Sequence, residues 1–101
     1  MITEEKAKKL GVSKWDVTEY LDNEEAITAY IEAAIEENDP KVIVMAIGDI
    51  AKARGMTSLA KKMGVKRESL YKSFSGKSKP EFETIYKALD ALNLRICVSP
   101  K

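Results

Sequence analysis

MTSLAKKMGVKRESLYKSFSG, Met56 to Gly76, has the spacing of two short helices crossing at a tight turn. A small residue is needed where the helices meet, and Ala60 supplies it. Four positions later Gly64 can take the positive φ that ends the first helix without a Cβ clash. Leu59, Met63, Val65 and Leu70 recur at inward spacings and fill the wedge, and Phe74 closes the stripe one turn on. Lys66, Arg67, Glu68, Ser69, Tyr71 and Lys72 are left for the outer face of the second helix. That is the arrangement of a helix-turn-helix whose second helix meets base edges and phosphates in the major groove. Thr57 can cap the first helix, and its hydroxyl with the N–H groups there can also meet a phosphate. The same pattern would serve two amphipathic helices packed for stability alone, and charge separates the readings.

Over the whole chain 17 basic and 16 acidic residues nearly cancel. The halves differ: residues 1 to 40 hold four Lys against eleven Asp/Glu, and residues 41 to 101 hold thirteen Lys/Arg against five acids. Nine of those positives fall between Lys52 and Lys79, with Glu68 the sole acid among them. A basic stripe over the motif is the footprint expected of phosphate contacts, each adding close to one unit of salt dependence. Lys61, Lys62, Lys77 and Lys79 are the candidates for such positioning contacts; a solvated helix face is the alternative for each.

A chain of 101 residues, 45% hydrophobic and 33% charged, suits one compact domain. The longest apolar run, Val42 to Ile47, is far short of the roughly 20 residues of a membrane span, and Met1 to Leu10 is too charged for a secretory signal. A cytoplasmic protein without membrane contact is expected. Cys97 is the one cysteine and histidine is absent, which removes disulfide frameworks, multi-Cys zinc sites, His acid/base catalysis and Ser/His triads together. Cys97 itself reads as an inert small side chain. No enzyme, metal site or cofactor is expected, because no cluster of nucleophile, base and oxyanion donors survives.

Helix ends are readable along the chain. Thr3 caps a short charged segment to Leu10, stopped at Gly11, and Ser13 to Leu21 packs by its aromatics. Asp22 with Glu25 makes a capping-box pattern ahead of Ile27, Tyr30, Ile31, Ala34 and Ile35, an amphipathic helix ending near Asn38. Asp39 as N-cap and Pro40 at the first position open a supporting helix with Ile43, Ala46, Ile47, Ile50 and Ala51 inward, closed by Gly55. Ser75 to Lys79 reads as a basic loop. Pro80 then opens a last helix with Phe82, Ile85, Tyr86, Leu89 and Leu92 inward, ending at Asn93. Leu94 to Val98 alternates by side and reads as a short strand, either paired across a dimer or with a partner, or frayed on the surface. The expected architecture is all-α, with that strand at the end. An acidic N-terminal helical extension (1–38) and a helix-turn-helix DNA-binding domain (39–101) form one compact unit.

From Trp15 to about Ile96 the sequence resembles the addiction-module antidote proteins, HigA-like antitoxins of type II toxin–antitoxin pairs. The similar stretches are WDVTEYL at 15 to 21, the helix with Tyr30, NDP at 38 to 40, IGDIAKARGM at 47 to 56, GVKRESLYKSFSG at 64 to 76 and KPEF at 79 to 82. The resemblance implies a phage-repressor-like DNA-binding domain, a RelE-like toxin as partner, and repression of the shared operon. It carries DNA contact to Arg67, Glu68, Ser69, Tyr71 and Lys72. Two departures stand out. Ser73 takes a position where such helices bury an aliphatic residue, which passes that packing to Phe74, and Lys66 lacks the short acceptor of a good N-cap.

One module of this kind buries only about 600 to 1,000 Å² on DNA, so specificity calls for a homodimer on a palindromic operator. Glu24, Glu25, Glu32, Glu36 and Glu37 can face a basic toxin or simply be the wet side of a helix. A transcriptional repressor without a toxin partner would use the DNA face alone.

Overall fold

In the computed structural model, which describes residues 21–101, five helices follow one another through short connections. They are α1 (Glu24–Glu36), α2 (Pro40–Arg54), α3 (Met56–Met63), α4 (Arg67–Ser73) and α5 (Phe82–Ala91). The described residues are thus all-helical. The segment expected from Thr3 to Leu10, and all but Leu21 of that expected from Ser13 to Leu21, lie outside them.

Helix α2 is the centre of the packing, because it is apolar on two sides. On one side Ala46 and Ile50 pack with Leu21, Ile27, Tyr30 and Ala34. On the other Val44, Ile47 and Ala51 join Met56, Leu59, Ala60, Leu70, Phe74 and Ala88. Ile31 and Leu92 touch both groups, so the two layers make a continuous interior. Asp39 caps α2, its carboxylate accepting from Lys41 N–H at 3.0 Å with Pro40 in the first turn, as the sequence predicts. Helix α1 is capped one residue later than Asp22, by Asn23, whose side-chain oxygen accepts from Ala26 N–H at 2.8 Å.

Several expected inward positions are displaced, each by a small rotation. On α1 the buried stripe runs through Ala26, Ile27, Tyr30 and Ala34, and Ile35 is 51% exposed, because α2 packs on the face of Ile27, Tyr30 and Ala34. On α5 the fully buried residue is Ala88, flanked by half-buried Ile85, Leu89 and Leu92. Phe82 and Tyr86 point outward at 68% and 54% exposure. This helix starts at Phe82 rather than Pro80, since Glu81 is still extended (ψ 152°). Val65, just past the left-handed Gly64, is carried out of the wedge and stays exposed.

The strand expected at 94–98 does not form: residues 94–100 have no regular structure. Asn93 adopts a left-handed φ of 63° and Leu94 N–H returns to the Leu89 carbonyl at 2.9 Å, closing α5. Beyond it Ile96 and Val98 are exposed. A strand needs a second extended edge, and none exists among the described residues.

Two polar or steric constraints hold the layers in register. The buried Tyr30 hydroxyl donates to the Asp49 carboxylate at 2.5 Å, joining α1 to α2. Gly48 of α2 meets the end of α4 so closely that a Cβ there would stand 2.8 Å from the Phe74 carbonyl oxygen and 3.1 Å from the Phe74 Cβ.

Gly48→Ala should therefore destabilise the fold by about 1 to 3 kcal/mol, the cost of overpacking, although alanine is the better helix former by about 1 kcal/mol. Urea unfolding reads the difference; a stability gain would show that the two helices can part without loss. For Tyr30, burial and then the Asp49 carboxylate push the phenol well above its ordinary value near 10. Its proton is retained in the folded state after the unfolded chain has lost it, so the contribution is complete below about pH 10 and declines above it. Tyr30→Phe should cost about 1 to 3 kcal/mol at neutral pH by orphaning the carboxylate, with the gap to wild type narrowing above about pH 10. Guanidinium midpoints across that range check it.

Candidate nucleic-acid interface

The α3–α4 unit is closed by backbone chemistry. Gly64 has φ 70°, in the left-handed region, and the chain turns there so that Val65 N–H reaches the Ala60 carbonyl at 3.0 Å and Gly64 N–H the Lys61 carbonyl at 3.2 Å. This double closure satisfies the end of α3 and sets the angle at which α4 leaves. Ala60 is buried under the crossing, and Leu59 and Leu70 are buried beside it. Helix α3 begins directly after Gly55, so Thr57 is its second residue; it makes no cap hydrogen bond and lies exposed.

Leu70 is the buried residue of α4, and Phe74 just beyond its end is 5% exposed, taking over the packing that Ser73 cannot supply. Lys66, without a side-chain cap bond, and Arg67, Glu68, Ser69, Tyr71 and Lys72 are all exposed. Two of these are brought together: Arg67 Nη2 donates to the Tyr71 hydroxyl at 3.2 Å, and the guanidinium carbon lies 5.4 Å from the ring centroid. Tyr71 thereby raises the pKa of Arg67 further, chiefly through this hydrogen bond.

The loop after α4 is folded back onto it. Ser75 Oγ and Ser78 Oγ both donate to the Lys72 carbonyl, at 3.0 and 2.9 Å, and Lys77 N–H donates to Ser75 Oγ at 3.2 Å. Exposed Lys77 and Lys79 are thus presented from a fixed turn beside the end of α4. The two serines were not singled out by sequence; their signal is a pair of short hydroxyl side chains placed where a helix leaves carbonyls open. Lys61 and Lys62 are exposed in the last turn of α3, and Lys62 borders a groove with Tyr86, Lys87, Asp90 and Asn93 of α5 and its end.

At the other end of the described chain, α1 carries exposed Glu24, Glu25, Glu32 and Glu36 and no basic residue. No helix among the described residues is long and apolar enough to cross a membrane.

A family model described as "Probable addiction module antidote protein" matches residues 11–100. An uncharacterised protein of Haemophilus influenzae is 43% identical over 84 residues, which span 83% of this chain and 87% of that protein. No solved structure matches.

The geometry of the turn is directly testable. No atom blocks a Cβ at Gly64, so Gly64→Ala pays only the left-handed backbone cost, about 1 to 2 kcal/mol. A thermal-unfolding comparison measures it; an unchanged midpoint would show that the turn tolerates another conformation.

Proposed function

The chain belongs to the probable addiction module antidote proteins, and from that membership we propose a sequence-specific DNA-binding antitoxin that binds a RelE-like toxin and represses its own operon. A cognate toxin is the partner that the family implies. The observation that carries the DNA half is the outer face of α4, where Lys66, Arg67, Glu68, Ser69, Tyr71 and Lys72 are exposed while Leu70 and Phe74 anchor the inner face. In this reading α3–α4 is a phage-repressor-like helix-turn-helix, of the HigA-like kind, with α4 in the major groove. Lys66, Arg67, Glu68, Ser69, Tyr71 and Lys72 face bases and phosphates, and Thr57, Lys77 and Lys79 position the module on the backbone. A homodimer sets two such helices about one helical turn apart on a palindrome. The acidic α1 suits a basic ribonuclease by charge complementarity. The reading is of a cytoplasmic binding protein, with no catalysis and no cofactor.

Gel-shift titration on the DNA upstream of the gene against scrambled DNA, at two salt concentrations, tests it. Selective binding is the expected outcome; weak, unselective, salt-sensitive binding overturns the repressor reading and leaves toxin binding. Arg67→Ala should lose about 1 to 3 kcal/mol on the specific site and blur one base pair, whereas Lys77→Ala should lower the salt slope by about one. Uniform weakening by Arg67→Ala on all sequences would make Arg67 a phosphate contact instead.

A further inference from the structure

We propose that Tyr71 is a positioning residue that sets base specificity through Arg67, holding its guanidinium for a guanine in the major groove. The inference rests on the DNA-reading role of α4 proposed above.

Arg67 and Tyr71 stand four residues apart on α4, so their side chains share one face one turn from each other. Both are exposed, and the contact between them buries neither, so core packing does not account for it. The 3.2 Å bond uses one of the two Nη2 hydrogens, and the ring lies within cation–π range at 5.4 Å. The other Nη2 hydrogen and both Nη1 hydrogens remain for a bidentate fork, which matches O6 and N7 of guanine. An arginine already held by an acceptor on its own helix loses less rotamer freedom on binding, and a fork of fixed direction rejects a base that offers one acceptor fewer. Tyrosine suits this role because its hydroxyl accepts while its rigid ring has only two χ angles.

The test is selection from a randomised duplex library, then competition among single-base-pair variants of the selected site, for wild type, Tyr71→Phe, Arg67→Ala and the double variant. Tyr71→Phe is expected to lower the guanine preference at one base pair by about two- to tenfold, with salt slope and unfolding midpoint unchanged. In the Arg67→Ala background the same change should have no further effect. An unaltered preference in Tyr71→Phe, or an undiminished loss in the double variant, overturns the positioning role while the DNA-reading role stands. Failure of the wild type to enrich any sequence overturns both.

Discussion

The close approach of Gly48 to Phe74 is the constraint on which the arrangement depends. Helix α2 is the element that both apolar layers share, and at Gly48 it comes so near the end of α4 that there is no room for even a Cβ. With nothing interposed, the position of α4 relative to the centre of the molecule is set by hard contact, and side-chain rotamers cannot blur it. Leu70 and Phe74 complete the fixation from below, the Gly64 turn from the front, and the Ser75–Ser78 loop from behind. Every restraint on α4 therefore acts on its inner face or its ends, and the outer face is left for polar groups.

Much of this was legible in the residues themselves. Gly64, Ala60, Leu59 and Leu70 are dictated by local rules of turn conformation and helix period, and they stand where those rules place them. Asp39 with Pro40 is equally local. What sequence did not disclose is rotational: Ile35, Phe82 and Tyr86 are apolar at helical spacing, yet they lie on the exposed side of their helices, and only the neighbouring helix decides which side is covered; Val65 falls in the turn after Gly64 and is exposed with it. Alanines take the buried places instead, Ala26 on α1 and Ala88 on α5. The tail shows the same limit. Alternation from Leu94 to Val98 is a property of the segment, but a strand is a property of a pair. The candidate interface was legible as a set of residues, whereas the Arg67–Tyr71 contact and the serine clamp on Lys72 needed coordinates.

The charge asymmetry along the chain meets a structural counterpart at Tyr30 and Asp49. Helix α1 belongs to the acidic half by composition, while α2 leads into the basic half, and a part-buried hydroxyl–carboxylate bond ties them together. Oriented polar bonds of this kind fix the relative rotation of two helices more narrowly than apolar contact does, since sliding by one residue orphans the carboxylate. Surfaces of opposite sign are thereby held on one framework.

Helix α4 is seven residues long, less than two turns, and its N-terminus has no side-chain cap. A peptide of that length pays the nucleation cost of a helix and recovers almost none of it, so in isolation it is coil. The alignment of its side chains is consequently not stored in the segment that displays it. It is lent by α2, α3 and the loop, and is withdrawn the moment the interior opens. Any event that breaches the core abolishes the display in one step, so its loss is as cooperative as unfolding itself.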